Sequence, residues 1–446
     1  MNVKEINRAL AAGVVDEHGV LPHAEQLRRV PFVFTFEFGL DALPEEPGVI
    51  LVRGPRQYGK STWLEQHIRE TVVKHGPGTA YYLNGDAILD ADALYEEIRD
   101  LLPLYHAHAR VRRLFIDEIT AVADWQKAVE RLADEGVLRD VLVVTTGSKA
   151  VDLRRGSERL PGRKGRPRRT SYYFTPVSFA EFSRVCRESL DGDPVIGYLL
   201  TGGSPVACAE IADTGSIPEY VHEMTRDWIL GECAAAGRSR ASLLAVFQAL
   251  HRFGGSALGQ AKLAREAGLA NNTVASGYIE LLSDLMCVGQ CPAWDESRRI
   301  TLARRPCKYP FTNLLAASAW SSERPRSLLD FGRIDPEAQG QWFEWLVSQE
   351  LWRKRCIRGE EVPESVPYWQ GREHGIDFVL DPRHFLKVKR GRSSPLDFAW
   401  FARTFPDSHL TVVGESRYKT DHIEGVAFHE FLSMTTNRDS SASGTT

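Results

Sequence analysis

The sequence predicts an α/β fold built on a parallel sheet, and three observations predict it. Short apolar segments alternate with helical ones from residue 49 to about residue 175. A glycine-containing loop, GPRQYGKST at residues 54–62, joins one of those strands to a helix. A third apolar segment, LFIDE at 114–118, ends in two acids.

The bulk numbers set the frame. A chain of 446 residues is too long for one ordinary core and predicts several domains. Apolar residues at 43% and charged residues at 26% are the balance of a folded chain and exclude a disordered one. No apolar run reaches the roughly 18 residues of a membrane helix, and MNVKEINRAL is not a secretory leader, so a cytoplasmic protein is expected, with no membrane partner. Seven cysteines without paired CxxC spacing argue against a disulfide framework or a zinc ribbon. The net charge of -4 gives no global pull toward nucleic acid, but basic residues cluster at 154–169 and again in WRKRCIR from Trp352.

Element by element, residues 1–46 read as an N-terminal segment containing the aromatic run PFVFTFEFGL, closed by the turn residues DALPEEPG. Residues 47–183 carry the strands VILVR, TAYYLNG, RRLFIDE, VLVVTTG and SYYFTP, with the helix STWLEQHIRETVVKHG after the first. Helical periodicity interrupted by TGGSP makes 184–241 a helical lid. Residues 242–305 read as helix-turn-helix followed by a β wing, a winged helix. Residues 306–434 open with the amphipathic helix EAQGQWFEWLVSQELWRKR and continue in short strands. The polar tail 435–446 is expected to be disordered.

Gly54, Gly59, Lys60 and Ser61 fill every fixed position of GxxxxGK[ST], between a strand and a helix as that motif's mechanism requires. The sheet is therefore expected to be that of a P-loop NTPase. In such a loop backbone N–H groups and the helix N-terminus cradle phosphates, the lysine reaches the β/γ-phosphates, and the hydroxyl after it ligates Mg²⁺. The expected contacts to ATP run through Gly54, Pro55, Arg56, Gln57, Tyr58, Gly59, Lys60, Ser61 and Thr62. Asp117, at a strand end, is placed to join Ser61 in holding Mg²⁺, and Glu118 to polarise the attacking water. Thr146 and Ser148, in VLVVTTGS, stand where they would sense the γ-phosphate or the water, or simply close a turn.

Together the loop, the DE strand, TTGS, LPGR at 160–163, PVSFAEF and LLTGGSP resemble a bacterial and archaeal family of AAA+-like ATPases. In that family a winged helix and a restriction-endonuclease-like domain follow the ATPase. The resemblance implies that Arg163, in the LxGR position, senses the γ-phosphate from its own or a neighbouring subunit, which would make a homo-oligomer. The insertion KGRPRR departs from the compact family pattern.

The same resemblance implies, for the C-terminal domain, a PD-(D/E)XK core at Glu344, Asp377, Lys387 and Lys389, where two acids and a lysine would bind Mg²⁺. Here Lys387 stands where an acid is expected, and its ammonium would repel the cation, so a degenerate site without nuclease activity is expected; a migrated carboxylate from Glu373 or Glu344 is the alternative that would keep that activity. DNA or RNA has two candidate landing places. One is the start of the recognition helix at Asn271, Asn272 and Thr273. The other is a basic C-terminal face of Arg353, Lys354, Arg355, Lys389, Arg390 and Arg392 with Trp352 and Trp369. The function expected from all this is a Mg²⁺-dependent ATPase that drives a conformational switch linked to nucleic acid or defence. Two rivals stand beside it: a nucleotide-gated binding module with little hydrolysis, and an ATP-regulated DNA nuclease.

Overall fold

The run GVILVR is apolar on both alternating faces, which suits only a strand covered on both sides. In the computed structural model, which describes residues 1–148, 165, 167–302 and 304–434, it is β1 (Gly48–Arg53), with five of its six residues buried. The strands β2 (Ala80–Asn84), β3 (Arg113–Asp117), β4 (Leu142–Gly147) and β5 (Ser171–Tyr173) complete a parallel sheet in the order β2-β3-β4-β1-β5. Alternation along each strand divides the core into two layers. Val49, Leu51, Leu114, Ile116 and Val143 pack with the helices Ala91–Leu101 and Trp125–Asp134. Ile50, Val52, Phe115, Leu142 and Val144 pack with the helix Lys60–His75.

The first 46 residues belong to this core. Ile6, Leu10, Phe38, Leu40 and Leu43 join the second layer, and Arg113 Nη2 donates to the Leu43 carbonyl at 3.0 Å. The helix Val3–Ala11 covers the outer edge of β2: Asn7 donates to the Tyr82 carbonyl and accepts from the Tyr82 N–H, both at 2.8 Å. One side-chain amide thus stands in for the next strand on an otherwise open edge.

The chain divides into two compact units, Met1–Thr175 and Pro176–Thr446. The second opens with the helices Phe179–Cys186, Pro194–Thr201, Pro205–Thr214 and Glu219–Ala235. Gly202 and Gly203 join two of these at φ 56° and 70°. A Cβ on Gly202 would lie 2.6 Å from the Leu315 nitrogen, and one on Gly203 2.6 Å from the Val177 carbonyl oxygen. Left-handed backbone and close approach together account for the glycine pair in TGGSP.

Three helices, Arg240–Phe253, Gln260–Glu266 and Asn272–Asp284, then lead into an antiparallel hairpin, β6 (Ala293–Asp295) and β7 (Ile300–Leu302). A small hairpin, β8 (Trp369–Gln370) and β9 (Gly375–Ile376), follows the 23-residue helix Pro336–Arg358. Next comes a mixed sheet of β10 (Phe378–Asp381), β11 (His384–Val388), β12 (His409–Gly414), β13 (Tyr418–Lys419) and β14 (Ile423–Ala427), ordered β10-β11-β12-β14-β13. The β6–β7 hairpin is not a free wing. Trp294 sits in one aromatic cluster with Trp369, Phe385 and Phe405, and the Trp369 indole donates to Glu296 at 2.9 Å. Six of the seven cysteines are buried.

Candidate nucleotide-binding site

The loop after β1 has its shape dictated by two crowded glycines. A Cβ on Gly54 would lie 2.7 Å from the Phe174 Cβ, and one on Gly59 2.8 Å from the Phe36 ring. Gln57 and Gly59 both have positive φ, 61° and 98°, and together they turn the chain into the helix Lys60–His75. Such a helix start presents unpaired N–H groups and a partial positive charge, a ready anion site. Lys60 is buried, and its ammonium donates to the carbonyls of Gly54 at 3.0 Å and Pro55 at 2.8 Å. Ser61 and Thr62 are half-buried in the first helical turn, Tyr58 is buried, and Arg56 and Gln57 are exposed.

The acids come from the neighbouring strand ends. Asp117 closes β3 and is buried, while Glu118 turns away at φ 47°. Because β4 lies between β3 and β1, its end stands between the acids and the loop. The Thr146 hydroxyl donates to Asp117 and accepts the Glu118 backbone N–H at 3.0 Å. The N–H and hydroxyl of Ser148 both donate to Glu118 Oε2, at 3.0 and 2.9 Å, and Arg56 Nε reaches the Ser148 hydroxyl at 3.4 Å. The other Glu118 oxygen lies 3.8 Å from the Lys60 ammonium. Loop, lysine and both acids thus meet at the C-terminal edge of the sheet, where open α/β sheets bind ligands.

Sequence reasoning offered Thr146 and Ser148 as sensors of phosphate or water, or as turn residues; here both hydroxyls bond to the two acids. It passed over Glu65, on the same helix, whose carboxylate accepts the Ala24 N–H at 2.9 Å. Burial pushes the Glu65 carboxyl up to about 7, and the nearby Asp117 charge adds to the rise. The signal was there in the apolar surroundings TWLEQHI. Arg163 and the rest of LPGR lie outside the described residues.

In the second unit the candidates separate. Asn271 is the cap of the helix Asn272–Asp284, its side chain accepting the Val274 N–H at 3.0 Å, and Asn272 and Thr273 are exposed beside it. The basic helix end corrects the expectation of a charged face: Trp352, Arg353 and Lys354 are interior. Arg353 is bonded twice to the buried Glu350, at 2.9 and 3.0 Å, and Lys354 donates to the Phe431 carbonyl at 3.2 Å. Glu350, one turn back, lies within ion-pair reach of both cations and offsets one of their two charges. Trp369 is also buried and Arg355 is half-buried against Glu360, so the exposed part of the basic face is Lys389, Arg390 and Arg392. Glu373 is exposed, while Glu344 and Asp377 meet in the interior, joined by Lys308, a residue the sequence did not single out.

Residues 46–183 match the family model described as an AAA domain. The chain carries an AAA-type P-loop domain. Its fold is the α/β fold of P-loop ATPases, a five-stranded parallel sheet with the phosphate-type loop after β1. Among solved structures the chain is similar to a Walker-type ATPase of Pyrococcus abyssi, at 13% identity and TM-score 0.42 over 69% of this chain and 96% of that one. It is also similar to the Aeropyrum pernix ORC1 protein in complex with DNA, at 14% identity and TM-score 0.34 over 71% and 96%. AMPPCP-bound DnaA from Aquifex aeolicus is similar at 17% identity and TM-score 0.28 over 59% and 86%. No curated protein matches the chain. Among the described residues, no helix is long and apolar enough to cross a membrane.

The residues of the AAA domain fit a magnesium nucleotide. A buried ammonium at a helix N-terminus suits phosphate, and a hydroxyl with a carboxylate is the hard oxygen donor set that Mg²⁺ takes.

Proposed function

We propose that the AAA domain binds ATP with Mg²⁺ and hydrolyses it, and that the cycle drives a conformational switch in the lid, winged helix and C-terminal domain. The observation that carries this reading is the convergence of Lys60, Asp117 and Glu118 on one sheet edge, tied together by Thr146 and Ser148. In this reading Lys60 exchanges the carbonyls of Gly54 and Pro55 for β/γ-phosphate oxygens. The loop from Gly54 to Thr62 supplies the remaining phosphate contacts, and Ser61 and Asp117 hold the metal. Bound Mg²⁺ supplies charge neutralisation at the β- and γ-phosphates. Glu118 orients and polarises the attacking water, and Arg163, from this chain or a neighbouring copy, stabilises charge at the γ-phosphate.

The switch serves a nucleic-acid-linked or defence role in the cytosol, with DNA or RNA meeting the winged helix or the Lys389–Arg392 face. One observation favours the binding-module alternative: Glu118 is already held by Ser148 and lies 3.8 Å from the Lys60 ammonium, so its carboxylate is engaged by the protein itself. ATP turnover measured with and without DNA or RNA, at two salt concentrations, separates the readings. Salt-sensitive stimulation supports the nucleic-acid-linked switch. Turnover that nucleic acid leaves unchanged points to a protein partner, and no turnover at all leaves the nucleotide-gated binding module.

A further inference from the structure

The endonuclease-like resemblance of the C-terminal domain implies a divalent metal held by Glu344 and Asp377, and the residues around that pair do not fit one. Glu344, midway along the helix Pro336–Arg358, and Asp377, between β9 and β10, point their carboxylates at a common position. The Lys308 ammonium already fills it, 3.1 Å from Glu344 Oε1 and 3.2 Å from Asp377 Oδ1. These are hydrogen-bond distances, whereas Mg²⁺ or Ca²⁺ draws oxygens to roughly 2.0–2.6 Å.

Both oxygens of Asp377 are already engaged. The Lys387 ammonium stands 3.0 Å from the same Oδ1, and the Val388 N–H donates to Oδ2 at 2.9 Å. The buried Lys308 and the partly exposed Lys387 already offset the charge of the two carboxyl groups, so a dication added beside them would leave charge of one sign unpaired. Lys308 is also rooted. Its backbone exchanges both hydrogen bonds with Cys291, at 2.9 and 2.8 Å, and its ammonium lies 5.7 Å from the centre of the Tyr368 ring. Burial would lower its proton affinity, but Glu344 and Asp377 outweigh that and hold it protonated.

We infer that the Lys308 ammonium takes the place of a divalent cation between Glu344 and Asp377, so that this centre is a cation site carrying its own cation and binds no metal. The ATP-regulated nuclease thereby loses the metal it would need. The inference stands apart from the nucleotide site, which uses none of these residues.

The test is Mn²⁺ binding to the nucleotide-free full chain, followed by the electron paramagnetic resonance of the free ion. Wild type and Glu344→Gln are expected to bind the same number of ions. Lys308→Ala is expected to gain one, and Lys308→Ala/Glu344→Gln to lose it again. A wild-type site that Glu344→Gln removes overturns the inference, and so does a folded Lys308→Ala that gains none. Should Lys308→Ala fail to fold, reductive methylation of the wild type decides. Lys308 is expected to react at least tenfold more slowly than the exposed Lys389 until urea is added, and equal rates overturn the inference.

Discussion

Thr146→Val removes one oxygen and keeps the shape of the side chain. That oxygen makes two bonds at once, donating to the Asp117 carboxylate and accepting the Glu118 N–H at 3.0 Å. The first is a bond to a charged group that is buried, and losing it costs about 1.5–3 kcal/mol. The second leaves a backbone donor without its partner at a left-handed residue, a further loss of about 1 kcal/mol. Together about 3 kcal/mol is at stake, which for a unit of this size lowers Tm by roughly 6–12 °C. ATP turnover should fall by more than tenfold, because the two acids proposed to hold the metal and polarise the water both lose the group that orients them. Thr146→Ser retains the oxygen and should stay within about 1 kcal/mol of wild type. Thermal melting and steady-state turnover of the two variants read both effects. A Thr146→Val protein that melts and turns over like wild type refutes the reasoning, as does a serine variant as impaired as the valine one.

Two further outcomes are expected. Glu118→Gln should lower turnover by roughly 10²–10⁴-fold, the usual contribution of a general base, while retaining ATP; equal loss of ATP binding would assign Glu118 to the phosphates instead. The raised Glu65 carboxyl makes stability depend on pH. Its protonated form is favoured by folding, so this contribution is full below about pH 4.5 and is lost as pH rises through 7, by about 3 kcal/mol. Glu65→Gln, still able to accept the Ala24 N–H, should therefore gain on wild type between urea midpoints measured at pH 5 and pH 8, and parallel midpoints would contradict the assignment.

What could be read in advance follows from range along the chain. The five strands of the AAA domain announce themselves as apolar runs, and the loop at 54–62 announces itself by spacing, because both are local signals. Asp117 and Glu118 were legible because an apolar strand leads into them. The double duty of Thr146 was not, since it depends on β4 lying beside β3, which only the assembled sheet decides. Lys308 was hidden for the same reason, its partners lying 36 and 69 residues away.

The charged run from Trp352 misled for a different cause. A string of cations reads as a solvated surface, but helical geometry carries Arg353 and Lys354 onto the face of Glu350, and the ion pairs then go inside together. The hairpin after Asn272–Asp284 reads as a wing from its spacing. That its Trp294 also belongs to the aromatic cluster of the C-terminal sheet is a contact that spacing alone does not carry.

Lys60 is central to the proposed nucleotide site, and the most direct test of that site is Mg²⁺-dependent ATP turnover and ATP affinity of wild type beside Lys60→Ala. Removing a buried ammonium proposed to bond to phosphate should weaken ATP binding by roughly 10- to 150-fold and abolish turnover. A Lys60→Ala protein that binds and hydrolyses ATP as well as wild type would contradict the assignment of this loop as the nucleotide site.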